Sequence, residues 1–134
     1  MRVPSLFVSV CLALLCSCTT DVTKSPSTRT DFVVGQSYEL KNSTYLLHGS
    51  LMTLREKAPA DSEGTIPPGE RVVVRKVMVF RSPEVGTTTE VFAEVLSGSY
   101  KGRTVSLTAV SHVSASGYTQ RDPSMLESVE IGAR

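Results

Sequence analysis

The chain has 134 residues, room for one small domain and not for two. Its 14 Lys+Arg stand against 13 Asp+Glu, which removes the long-range attraction to phosphate that nucleic-acid binders rely on, so no nucleic-acid partner is expected. All three cysteines, Cys11, Cys16 and Cys18, precede Thr19, so the domain that follows has no disulfide to support it.

Arg2 opens an apolar run over residues 3–15 that is broken only by Pro4, Ser5 and Ser9, the pattern of a charged n-region and a roughly 7–15-residue h-region in a secretory signal. A membrane span needs about 20 apolar residues, so the segment reads as an export signal and not as a span. The run ends in Leu15-Cys16-Ser17-Cys18, which resembles the lipobox of bacterial lipoproteins: an aliphatic residue, a small residue just before the cut, then cysteine. Only Cys18 is in register, and Cys16 stands where Ala, Ser or Thr is commoner. The resemblance implies a signal peptide over 1–17, diacylglycerol on the Cys18 thiol, cleavage after Ser17 and usually acylation of the freed amine. The membrane then becomes a partner through Cys18, because two or three acyl chains anchor stably where one does not. Thr19 in place of Asp after the cysteine implies delivery to the outer membrane, or retention at the plasma membrane of a host with a single membrane. Losing residues 1–17 removes one basic residue, Arg2, and leaves the mature chain formally neutral.

Residues 19–31 (TTDVTKSPSTRTD) are rich in Ser and Thr, with Val22 the one aliphatic side chain, a composition that cannot bury enough apolar surface to stay ordered. With Cys18 they read as a lipidated polar tether, residues 18–31, that lifts the domain at most about 43 Å from the bilayer. From Phe32 onward, short β-branched runs alternate with turn residues. Strands are predicted at 36–41, 44–55, 70–80, 89–96, 103–107 and 111–115, separated by Asn42-Ser43, a long 56–69 segment, a turn from Ser82 to Gly86, and Ser97-Gly98 with Gly102. In the third strand Val72, Val74, Met78 and Phe80 form the expected core face. Lys76 interrupts that face, and a bulge near Arg75-Lys76 resolves the conflict. In the tail, 119–134, Asp122-Pro123 offers a helix N-cap and first-turn pair ahead of Met125, Leu126 and Val129, which predicts a short docked helix.

The expected fold is all-β, a small SH3-like barrel of five to six antiparallel strands over 32–118, with an OB-like barrel as the other solution. The stretch EVFAEVLSGSYKGRTVSLTAVSHV, residues 90–113, resembles the distal hairpin, 3-10 turn and closing strand of bacterial SH3-type domains, and the loop order is similar. Recognition of Pro-rich peptides does not follow, since the aromatic groove for it usually includes Trp and the chain has none. Tyr38, Tyr45, Tyr100 and Tyr118 read chiefly as rings that cover a core while their hydroxyls stay wet.

His48 and His112 have no Cys, Asp or Glu at ligand spacing, so no metal site is expected. No G-x-S-x-G elbow is present, acylation would consume the Cys18 thiol, and Glu90 and Glu94 read as solvated strand residues. A non-enzyme without catalytic residues or cofactor is expected. Arg71, Arg75, Lys76, Arg81, Lys101 and Arg103 form either a basic patch or a set of pairs with Glu70, Glu90 and Glu94. Tyr100, Lys101 and Arg103 are the candidate binding residues of an envelope module that contacts peptidoglycan or another envelope protein. The alternative is a periplasmic lysozyme-inhibitor-type lipoprotein, similar in size and anchoring, although such inhibitors generally carry cysteines in the barrel.

Overall fold

The computed structural model describes residues 18–54 and 57–130; the signal peptide read over 1–17 lies outside them, as does the end of the tail. The described residues are all-β. One large sheet holds nine strands: β1 (Cys18–Asp21), β2 (Ser37–Leu40), β3 (Thr44–Leu47), β4 (Ser50–Thr53), β5 (Gly64–Ile66), β6 (Arg71–Ser82), β7 (Gly86–Val95), β8 (Thr104–Ser106) and β11 (Leu126–Ser128). The remaining two, β9 (Ser111–Val113) and β10 (Thr119–Arg121), form a separate hairpin. The order β11-β2-β6-β7-β8-β4-β3-β5 curls into a half-barrel, with β1 added to β6 beyond the end of β2. More strands are present than the five to six expected.

The β6–β7 hairpin is the spine. Its register runs Val72↔Val95 to Val74↔Ala93, skips Arg75, and resumes from Lys76↔Phe92 to Ser82↔Gly86. The expected bulge is therefore present, but it turns the strand the other way. One extra residue shifts the period-two alternation, so Val72 and Val74 are followed inward by Val77 and Val79, while Lys76 is exposed and Met78 and Phe80 are only half-buried on the opposite face. Leu40, Leu46, Leu51, Val91, Leu107 and Leu126 pack into one core with Val72, Val74 and Val77, and Phe32 meets Tyr38 edge-to-face at 5.1 Å.

Four other expectations are corrected. The run 44–55 is two strands, because His48 (φ 49°) and Gly49 (φ 78°) form a two-residue turn with both residues at positive φ, the geometry that folds a hairpin tightly and sets Leu46 opposite Leu51. Within the long 56–69 segment, Gly64–Ile66 pairs with β3. The segment 18–31 is not a free tether: β2 pairs with β6 only at Val72 and its two neighbours, and β1 takes the vacant edge from Met78 to Arg81. Val22 N–H then bonds Val77 O at 3.0 Å and Pro26–Thr28 makes a 3-10 turn. Unpaired backbone groups on a sheet edge can recruit a polar strand that apolar burial alone would not order. The described part of the tail, 119–130, forms no helix. Asp122 Oδ1 accepts bonds from Ser124 N–H (2.9 Å) and hydroxyl (2.7 Å), closing a turn, after which β11 pairs Leu126 with Leu40 and buries it. Strands on both sides of 32–118 thus pair with the sheet.

Candidate functional site

The turn from β7 to β8 is built by SGSYKGR. Gly98–Tyr100 forms a 3-10 turn, Gly102 N–H returns to Val95 O at 2.8 Å, and Arg103 N–H to Tyr100 O at 2.9 Å. These bonds fix Tyr100 and Arg103 on one side of the turn and expose Lys101 at its tip. The Tyr100 ring is half-buried against the core and its hydroxyl donates to the backbone carbonyl of Glu63 at 2.9 Å. Arg103 Nη2 contacts both carboxylate oxygens of Glu63, at 2.6 and 2.8 Å. Two of the three candidate residues therefore converge on Glu63, in the 56–69 segment, and Lys101 remains apart from them.

Beside this turn lies a small cleft of about 90 Å³, lined by Ile66, Pro67, Glu70, Val95, Ser97 and Tyr100 among others. Its charged group is the Glu70 carboxylate, which accepts the Ser97 hydroxyl, and Ser97 Oγ in turn accepts Arg71 N–H at 3.4 Å. Glu63 was not legible as a site residue, since it reaches the turn from a long loop and its one signal was the flanking Gly64, which marks a turn; Glu70 was read only as an ion-pair partner for the basic residues. The volume is right for a few water molecules or one small cationic group and too small for a drug-sized ligand.

Cations along β6 are distributed rather than pooled. Arg75 pairs with Glu94 at 3.2 Å, as one reading of these charges expected, and Arg103 with Glu63. Among the described residues Arg71, Lys76, Arg81 and Lys101 are exposed and make no ion pair. A wider groove of about 670 Å³ runs from Asp21 to Ser25 past Arg75 and Lys76. Inside it the Thr23 hydroxyl, and then the Thr23 N–H, hold the Asp21 carboxyl below its usual range. His48 sits exposed in its turn, and His112 Nε2 lies 3.4 Å from Asp122 Oδ2. No group of three or more His, Cys, Asp or Glu able to hold a metal occurs among the described residues. Cys18 opens β1 with its thiol exposed and unpaired.

No protein-family model matches the chain, and no curated protein or solved structure matches it either.

Proposed function

We propose that the chain is a bacterial lipoprotein, held in the cell envelope by acyl chains on Cys18, whose SH3-like half-barrel is a non-catalytic module binding peptidoglycan or an envelope protein. The observation that carries the reading is Leu15-Cys16-Ser17-Cys18 at the end of an export-type apolar run, ahead of a domain with no other cysteine. The exposed position of Cys18 supports it, since a lipid-bearing thiol needs solvent access on the folded domain. Support for the SH3-like comparison comes from loop order: a long early loop, the turn between β6 and β7, a tight β7–β8 hairpin, then a 3-10 turn at Thr108–Val110 before β9. The binding face is assigned to the 100–103 turn, where the Tyr100 ring lines a carboxylate cleft and the Lys101 ammonium is exposed at the tip.

The anchor is tested by expressing the full chain and its Cys18→Ser variant, then fractionating membranes and weighing the mature proteins. Acyl mass on the wild type and a soluble, unprocessed or unacylated variant are expected; a variant that stays membrane-bound and is processed normally overturns the anchor. The module is tested by sedimenting the detergent-purified mature protein with sacculi. Inhibition of lysozyme in place of sacculus binding would move the assignment to the inhibitor class.

A further inference from the structure

We infer that the end of the domain carrying Cys18 lies directly on the bilayer, with the β6–β7 turn in the headgroup layer and the Glu70 cleft facing away from the membrane. The inference rests on the lipid-anchor reading and deepens it. Its basis is the strand register: Cys18 pairs with Arg81 and Arg81 with Thr87, so the three residues form one row across β1, β6 and β7. The next row, Ser82↔Gly86, closes into the turn of Pro83, Glu84 and Val85. Since β1 is part of the sheet, no slack separates the thiol from this turn.

A thioether to diacylglycerol holds its sulfur at the depth of the lipid glycerol. The polar layer around that depth is about 5–7 Å thick on each side of the bilayer. Neighbouring strands are about 5 Å apart, so Arg81 lies within that layer whenever Cys18 is acylated. The surface there suits it. Val85, at 79 % exposure, is the most exposed large apolar residue of the described chain, and exposed Arg81 can reach phosphate while its stem lies along apolar chains. The β9–β10 turn is at the same end: a Cβ on Gly117 would run into the backbone carbonyl of Thr87, and Val113 on this hairpin is 42 % exposed. In the opposite direction β7 runs its 10 residues, roughly 30 Å, to the 97–103 turn. The bilayer is thus the occupant of one end and the candidate binding turn is presented from the other.

The test uses the full mature lipoprotein, its acylation verified by mass, in vesicles of phosphatidylethanolamine and phosphatidylglycerol. Acylation consumes Cys18, so Val85→Cys and Lys101→Cys each give a single site for an environment-sensitive fluorophore. The expected result is a severalfold rise in emission at 85, quenched by nitroxide lipid, with emission at 101 unchanged. Acylated protein whose label at 85 is as water-exposed as that at 101 overturns the orientation and leaves the anchor standing. Mature protein without acyl chains on Cys18 overturns both.

Discussion

Thr119 donates its hydroxyl hydrogen to the backbone carbonyl of Thr89 at 2.6 Å, 30 residues away in the chain, with both residues buried. Thr30 completes the clasp by donating its own hydroxyl to Thr119 O at 2.6 Å. Through these two bonds β10, β7 and the N-terminal segment are joined, and the separate β9–β10 hairpin is tied to the sheet.

Thr119→Val keeps the shape and removes the donor, so it should lower stability by about 0.5–1.5 kcal/mol. Thr44→Val should act with the opposite sign. Thr44 is fully buried on β3 and its hydroxyl has no partner, so replacing it by methyl removes an unsatisfied group and is expected to be neutral or to stabilise by about 1 kcal/mol. Urea midpoints of the two variants check both signs together. A Thr44→Val loss as large as that of Thr119→Val would mean that the Thr44 hydroxyl is satisfied.

The turn at His48-Gly49 gives a sharper sign test. Each position sits at positive φ, where a side chain other than Asn or Gly costs about 1–2 kcal/mol. His48→Asn should therefore raise the urea midpoint and Gly49→Ala lower it. Nothing lies within 4 Å of the new methyl at Gly49, so its cost is backbone strain alone. Equal midpoints for the two variants would show that the turn relaxes at no cost.

The same turn shows where the sequence was opaque. The run 44–55 carries no Pro and no Asn-Gly or Asp-Gly pair to mark the reversal at His48-Gly49. At Arg75 the need for a bulge was visible, because Lys76 stands in an apolar run, but the direction was not. Valines at 72, 73, 74, 77 and 79 suit either face, and the partner strand decides which of them turn inward. β1 and β11 were lost for a different reason. Thr19, Thr20 and Asp21 have no apolar period, and Asp122-Pro123 caps a helix as readily as a turn; vacant edges on β6 and β2 settle both segments. At the binding turn, Tyr100, Lys101 and Arg103 were legible from local chemistry, whereas Glu63 and Glu70 required the tertiary fold.

Stability should fall at both ends of the pH scale, for different residues. The Ser124 hydroxyl, and then the Ser124 N–H, hold the Asp122 carboxyl below its usual range, as Thr23 does for Asp21. A depressed folded pKa contributes stability that is present above the unfolded value of about 4 and is lost as pH falls through the folded value. Asp122→Asn should flatten this acid limb. Burial raises the Tyr38 phenol above its usual range, although its oxygen accepts Val33 N–H at 3.0 Å. That contribution is present below about pH 10 and is lost above it, so Tyr38→Phe should flatten the alkaline limb alone. Midpoints measured from acid to alkaline pH separate the two, and an Asp122→Asn variant with an unchanged acid limb would exclude the turn as its source.

At the candidate site, stability and binding should come apart. The Arg103–Glu63 pair is exposed on both sides, 43 % and 39 % by side chain, so water screens it and Arg103→Ala should cost no more than about 1 kcal/mol. Tyr100→Phe loses only the bond to Glu63 O and should cost about 0.5–1.5 kcal/mol. Lys101 makes no ion pair with the described residues, so Lys101→Ala should leave the urea midpoint unchanged. If this turn is the binding face, Lys101→Ala must nevertheless weaken sedimentation with sacculi, and the weakening must fade with added salt, because an exposed ammonium acts over roughly the 8 Å Debye length of physiological saline. Arg103→Ala should weaken binding less than its charge suggests, since Glu63 already neutralises it. Wild-type sedimentation by Lys101→Ala, with Tyr100→Phe also unaffected, would place the binding face elsewhere on the domain.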